Sequence, residues 1–174
     1  ICGIDKEKGT IRIVFEVRGK GTKQIAKINE GEMIDILGPL GKGFPMDDYK
    51  TAITVGGGIG TPPMNEIAKH FGESCRSISG FRNAAAVILQ DDLKSFGAET
   101  ILCTDDGSMG RKGFVTEALK DEVNKKKPDV IYACGPNVMI KGVVDIAKEA
   151  GVPCFISLEE RMGCGIGACL VCAC

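Results

Sequence analysis

Four of the nine cysteines fall in the last eleven residues, Cys164 to Cys174, which read C-G-I-G-A-C-L-V-C-A-C. Thiols crowded into a stretch too short to fold alone mark a metal or cluster site at the edge of a larger structure. Cys164, Cys169 and Cys172 follow the spacing C-x4-C-x2-C, in which thiolates from one glycine-rich loop wrap two irons and a further cysteine completes a [2Fe–2S] set. A structural zinc clasp is the alternative chemistry, although the spacing matches paired C-x2-C zinc knuckles poorly. His70 is the single histidine, so a His-based metal site is excluded by count.

Three other segments carry residues suited to a nucleotide. Gly56-Gly57-Gly58-Ile59-Gly60-Thr61-Pro62-Pro63 is a run whose bare backbone N–H groups can approach a diphosphate, with Thr61 placed to cap a helix that has Pro62 in its first turn. It is not the G-x-G-x-x-G fingerprint, and a tight strand-to-helix turn would use the same residues. Thr104-Asp105-Asp106-Gly107-Ser108-Met109-Gly110 offers short acceptors for ribose hydroxyls, and a carboxylate there would repel a 2′-phosphate, which favours NAD over NADP. A solvated acidic turn is the other reading of that loop. Arg82 suits either an adenine-side ribose or a surface charge. In Ala133-Cys134-Gly135-Pro136 a thiol followed by glycine can lie against a flat ring without crowding it, or can simply pack.

These segments need elements to hold them. Ile11 to Val17 is rich in β-branched residues and predicts a strand; Thr22 is placed to cap a short helix through Ile28; Met33 to Leu37 predicts a second strand. Gly38 to Pro45 holds three glycines and two prolines and marks a boundary. Beyond it, strands are expected at Thr51 to Val55, Ser77 to Ser79, Thr100 to Cys103, Val130 to Ala133 and Pro153 to Ile156. Helices are expected after Thr61, over Asp91 to Phe96, over Thr116 to Lys127 and over Asn137 to Ala150. That alternation predicts an α/β fold with a doubly wound, five-stranded parallel sheet, in which ligands bind outside the carboxyl ends of the strands. Each of the three nucleotide segments follows such a strand.

Composition removes several function classes. A net charge of -1, with Lys125, Lys126 and Lys127 as the one basic run, argues against nucleic acid. No apolar stretch approaches the roughly 20 residues of a membrane span, and no charged-then-apolar leader opens the chain, so the expectation is a soluble, cytoplasmic protein. Cys2, Cys75, Cys103, Cys134 and Cys154 stand singly, unlike a disulfide framework; Cys75, Cys103 and Cys154 are expected as buried free thiols.

The order of motifs, G-G-G-I-G, then T-D-D-G-S-x-G-x-x-G, then C-G-P, resembles the ferredoxin reductase-type flavoproteins. The terminal C-G-I-G-A-C-L-V-C sharpens this to a resemblance, over essentially the whole chain, to the electron-transfer subunits of NAD-dependent, two-subunit (type B) dihydroorotate dehydrogenases. The resemblance implies that electrons from dihydroorotate, oxidised at FMN in a partner catalytic subunit, pass through a [2Fe–2S] cluster to FAD and on to NAD+, with cofactor positioning and no catalytic side chain. It implies Cys164, Cys169 and Cys172 as cluster ligands. It implies Gly56, Gly57, Gly58, Ile59, Gly60 and Thr61 at the NAD diphosphate, and Asp105, Asp106 and Gly107 near a ribose. Cys134, Gly135 and Pro136 would border the nicotinamide, and Gly21 and Thr22 would meet the FAD diphosphate.

On that resemblance residues 1–48 are the C-terminal part of a flavin-binding β-barrel with its linker, 49–157 the NAD domain and 158–174 the start of the cluster segment. The family's R-P-x-S flavin motif would precede Ile1, so the FAD site is expected to be incomplete in these residues. The family's fourth cysteine lies further along than the end of this sequence; Cys174 could replace it only by curling back. The small subunit of an NADH-dependent ferredoxin:NADP+ oxidoreductase or sulfide dehydrogenase is the neighbouring reading. A nucleotide-binding module with a zinc clasp is the alternative from another class.

Overall fold

From residue 52 onward, short runs of β-branched residues alternate with amphipathic ones, and the chain folds accordingly. The structure, a computed structural model, describes residues 1–46 and 48–173; Cys174 lies outside the described residues. The elements are β1 (Gly3–Asp5), β2 (Thr10–Arg12), α1 (Lys20–Ile25), β3 (Ala52–Gly57), α2 (Met64–Phe71), β4 (Cys75–Phe81), α3 (Gln90–Ser95), β5 (Glu99–Thr104), β6 (Arg111–Lys112), α4 (Val115–Lys125), β7 (Val130–Cys134), α5 (Asn137–Ala150) and β8 (Cys154–Ser157). β3 to β8 form one sheet in the order β6-β5-β4-β3-β7-β8, every pair parallel. The five expected strands are all there, and the two-residue β6 adds a sixth at the edge. The order reverses between β3 and β7, so the crevice for a ligand opens at the ends of those two strands.

One face of the sheet carries the main core. Ile53, Val55, Ile78, Ile131 and Ala133 meet Val115, Ala118, Leu119 and Val123 of α4 and Ile140, Val143 and Ala147 of α5. Period 2 on the strands and the i, i+3, i+4 spacing on the helices bring these residues to a common layer. On α2, Met64, Ile67, Ala68 and Phe71 are buried. Tyr132, wholly buried, lies between Phe71 and Phe155, and its hydroxyl donates to the Pro45 carbonyl at 2.6 Å.

The C-terminal end of α4 is held by Arg76 of β4. Its guanidinium donates to the Glu122 carbonyl (2.6 Å), to the Glu122 carboxylate (3.2 Å) and to the Lys126 carbonyl. Carbonyls at a helix end lack intrahelical partners, so this arginine supplies donors where the helix needs them. Burial pushes the Glu122 carboxyl up, but Lys125 and Arg76 together hold it below the ordinary carboxylate range. Arg76→Met is expected to lower stability by about 2 kcal/mol, the scale of a lost hydrogen bond to a charged group. Urea unfolding followed by circular dichroism checks this.

Before residue 45 the expected elements change. Ile13 to Val17 and Met33 to Leu37 are not strands, because a strand needs a hydrogen-bonded neighbour and neither run finds one among the described residues. The short hairpin of β1 and β2, with Gly3 opposite Arg12, is the pairing that forms there. The helix cap is Gly19, and Thr22 sits inside the first turn, where its hydroxyl accepts from the N–H groups of Arg18 (2.9 Å) and Gly19 (3.1 Å). Contacts divide the chain into two compact units, one of Ile1–Val14 with Pro45–Glu159, the other of Phe15–Phe44 with Glu160–Cys174.

Candidate nucleotide site and cysteine loop

The glycine run after β3 is tighter than its sequence implies. Gly56 and Gly57 still belong to the strand, Gly58–Gly60 form one 3-10 turn, and α2 begins at Met64. A Cβ on Gly60 would stand 2.2 Å from the Cys134 carbonyl oxygen, and one on Gly57 would meet Met139 Sδ at 2.6 Å and Pro136 Cδ at 2.9 Å. A Cβ on Gly56 would meet the Thr61 backbone at 2.7 Å. Three of the four glycines are therefore packing glycines: Gly57 and Gly60 seat the β3 loop against the β7 loop, and Gly56 packs on Thr61 within its own loop. Gly58 differs: its φ is +53° and nothing lies within 4 Å of its missing side chain. It is the glycine of this run with open space for a close-approaching ligand.

Thr61 does not cap α2. Its hydroxyl is wholly buried and, among the described residues, unpartnered; the N–H groups of Met64 and Asn65 bond instead to the Thr61 and Pro62 carbonyls. α2 starts at Met64, two residues later than Pro62 predicts, with Pro63 at its cap. Ile59 is half-buried beside Gly58.

The loop after β5 is built by its own polar residues. Thr104, wholly buried, donates from Oγ1 to the Met109 carbonyl (2.7 Å) and accepts from its N–H (3.2 Å). Asp106 Oδ1 accepts from the N–H (2.9 Å) and hydroxyl (2.6 Å) of Ser108, which hold its carboxyl below the ordinary range. Ser108 Oγ in turn accepts from the Ala84 N–H at 2.7 Å, tying this loop to the one after β4 that carries Arg82. Asp105 and Asp106 thus have different positions. Asp106 is committed to an Asx-type turn, whereas the exposed Asp105 carboxylate makes no hydrogen bond among the described residues. Gly107, with φ +76°, packs on Lys112.

After β7, Cys134 and Gly135 are buried and Pro136 is exposed at the start of α5. Gly135 has φ +151°, and a Cβ there would lie 3.0 Å from Gly57 Cα, which accounts for glycine at this position. Burial raises the Cys134 thiol. The structure brings the β3 and β7 loops together, leaves Met109 of the acidic loop 48% exposed, and adds two exposed apolar residues that sequence reasoning missed, Phe114 (63%) and Val138 (88%), at the starts of α4 and α5. A large apolar residue just before or at a helix start, where the buried face has not yet begun, is the signal that could have found Phe114 and Val138.

The cysteine loop carries thiolate chemistry. Backbone N–H groups of Cys169, Ile166 and Ala168 converge on the Cys164 sulfur, with Cys169 N at 3.4 Å, and lower its pKa to about 6. Gly165 (φ +71°) and Gly167 (φ +79°) turn those groups inward. Cys172 is half-buried and Cys169 exposed. Among the described residues no three His, Cys, Asp or Glu side chains converge as a ready metal cage. The donor type and the N–H···S contacts at Cys164 fit the thiolate ligands a metal cluster needs.

Residues 54–145 match the family model described as an oxidoreductase NAD-binding domain. Dihydroorotate dehydrogenase B (NAD(+)) electron transfer subunits from Bacillus caldolyticus and Fusobacterium nucleatum are 42% and 43% identical, over all of this chain and 68% and 69% of their own lengths. The chain belongs to this family. Among solved structures, that of an NADH-dependent reduced ferredoxin-NADP oxidoreductase superposes with a TM-score of 0.86 at 33% identity, covering 99% of this chain and 63% of that one. The C-terminal domain of a Pyrococcus furiosus hydrogenase shares the fold, with a TM-score of 0.54 at 24% identity over 69% of this chain and all of that domain. Family membership makes the chain an oxidoreductase component whose parallel sheet is a ferredoxin reductase-type NAD domain. No helix among the described residues is long and apolar enough to cross a membrane.

Proposed function

We propose that the chain carries electrons from dihydroorotate, oxidised in an FMN-containing catalytic partner subunit, to NAD+ in the cytoplasmic synthesis of pyrimidines. Bound FAD and a [2Fe–2S] cluster would supply the hydride and one-electron chemistry. Residues 1–48 then serve the flavin, 49–157 the NAD and 158–174 the cluster. Gly58, with the N–H groups of the turn through Gly60, receives the diphosphate; Asp105 faces a ribose; Cys134 borders the nicotinamide; Gly21 and Thr22 lie toward the FAD diphosphate; Cys164, Cys169 and Cys172 hold the cluster.

One observation carries this reading. The loop with the thiolate-favouring Cys164 belongs to the same compact unit as Gly21, Thr22 and the Gly38 to Phe44 segment. Within that unit a Cβ on Gly165 would lie 2.9 Å from Leu40 Cδ1. Cluster and flavin segments that pack together suit electron exchange between them. Mixing the protein with a dihydroorotate-oxidising subunit, after iron and sulfide reconstitution, should give dihydroorotate-driven NADH formation; its absence with intact cofactors would sink the proposal.

The likeness to the ferredoxin-NADP oxidoreductase favours a second reading, the small subunit of such an enzyme or of a sulfide dehydrogenase. NADH-driven reduction of a ferredoxin-linked large subunit, with no turnover of dihydroorotate, would select it. A stoichiometric, colourless zinc in place of iron and acid-labile sulfide would select the clasp module instead.

The unequal aspartates give a further expected outcome. Asp105→Ala should shift the ratio of NADP+ to NAD+ affinity about ten-fold toward NADP+, or about 1.4 kcal/mol, by removing a like charge from beside a 2′-phosphate. Asp106→Ala should instead loosen the turn and weaken both nucleotides together. Calorimetric titration with the two dinucleotides checks the pair.

A further inference from the structure

β4 and β5 run side by side in parallel register, with Phe81 opposite Thr104 where both strands end. Beyond that rung the two loops stay joined. The Asp105 N–H donates to the Phe81 carbonyl at 3.0 Å and the Asp106 N–H to the Arg82 carbonyl at 3.3 Å. Furthest out, the Ala84 N–H donates to Ser108 Oγ at 2.7 Å. An amide N–H can only donate and an ionised carboxylate can only accept. The serine proton therefore goes to Asp106 Oδ1, 2.6 Å away, which leaves a lone pair for Ala84. The Ser108 N–H donates to the same Asp106 oxygen at 2.9 Å, so backbone and side chain of Ser108 are both fixed before its hydroxyl reaches the other loop. The backbone from Arg82 to Ala84 is thus tied to the β5 loop at both ends. Arg82 on one loop and Asp105 on the other are exposed where the strands end.

We propose that Ser108 is a positioning residue for the adenosine half of bound NAD: it clasps the β4 loop to the β5 loop, so that Arg82 and Asp105 meet the adenine-side ribose from one fixed backbone. The inference rests on the NAD reading given above. Loops that must be ordered when a ligand arrives take the cost of that ordering out of its affinity. A hydroxyl that accepts from one loop and donates within the other removes the cost in advance, without itself touching the nucleotide.

Hydrogen exchange read by NMR and calorimetric titration, both on the full chain, separate this role from a purely structural one. Ser108→Ala should speed exchange of the Ala84 amide about five-fold, the scale of one lost hydrogen bond. ADP-ribose and NADH share the adenosine half and differ at the nicotinamide, so Ser108→Ala should weaken both by the same factor, again about five-fold. Ser108→Thr, which keeps the hydroxyl, should restore the exchange rate and both affinities. On an Asp106→Ala background, Ser108→Ala should add almost nothing, because the carboxylate that orients the hydroxyl is already gone. Unchanged affinities beside a faster Ala84 amide make the clasp purely structural and overturn the inference. So does a loss for NADH that ADP-ribose does not share, a Ser108→Thr variant as weak as Ser108→Ala, or full additivity with Asp106→Ala. Wild-type protein that binds neither ligand overturns the NAD reading itself, and the role of Ser108 with it.

Discussion

Gly60→Ala should destabilise the protein by about 3 kcal/mol, at the upper end for an overpacked site, and lower its thermal midpoint by about 10 °C. The reason is steric and local. The added methyl would fall 2.2 Å from the Cys134 oxygen, 2.4 Å from its carbonyl carbon and 2.7 Å from the Gly135 nitrogen. All three are backbone atoms at the end of the central strand β7 and the turn just after it, and none can rotate away as a flexible side chain would. Relief requires the β3 and β7 loops to separate, which also opens the crevice, so NADH affinity should fall with stability. Gly58→Ala is the contrasting variant. It meets no atom within 4 Å, costs about 1 kcal/mol for its left-handed backbone, and should lose NADH binding out of proportion to that cost. Thermal unfolding and NADH titration on both variants test the distinction; equal stabilities for the two would refute the packing assignment of Gly60.

Cys164→Ala should abolish dihydroorotate-driven NADH formation and, after reconstitution, leave iron and acid-labile sulfide near background while NADH binding stays intact. Cys164 is the thiol around which the loop's N–H groups are arranged, so its removal takes away the anion as well as a ligand. The same arrangement predicts a pH dependence in the metal-free protein. A thiol lowered to about 6 is ionised above that pH and protonated below it. Alkylation of Cys164 by iodoacetamide, followed by peptide mass spectrometry, should therefore reach half its maximal rate near pH 6. The buried Cys75, and Cys154, which is half-buried where the sequence predicts a buried thiol, are both raised to about 11 by loss of solvent and should stay unreacted at that pH. A midpoint near pH 9 for Cys164 would show that the loop N–H groups do not converge on its sulfur in solution.

Much of this architecture was legible in the residues. The five expected strands of the nucleotide domain are short runs bounded by turn residues, and each long helix shows an apolar stripe; both signals are local, and both held to within a few residues. The three candidate loops followed from those strands, because loops at the carboxyl ends of parallel strands are where such sheets bind. Less was legible where an element depends on a distant partner. Ile13 to Val17 and Met33 to Leu37 have strand composition, yet composition supplies no ladder partner. Thr61 has the chemistry of a helix cap, but the helix starts at Met64, beyond its reach, and its hydroxyl is buried without a partner among the described residues. Asp105 and Asp106 are the same residue type in adjacent places, and only the positions of Ser108 and Ala84 distinguish the turn-builder from the exposed carboxylate.

The glycine run makes the same division. Its composition alone announces close approach of backbone to something, and that much is intrinsic to residues without side chains. What they approach was decided by tertiary structure: Gly57 and Gly60 meet the β7 loop, about 75 residues away in sequence, and Gly58 alone faces open space. The cysteine spacing likewise sets the expectation of a thiolate-held metal or cluster by itself, since thiol number and separation are covalent facts. The ionisation of Cys164 depends on where three N–H groups point. The clasp of Ser108 on Ala84 depends on β4 and β5 lying side by side. Both are relations through space, and a linear spacing does not contain them.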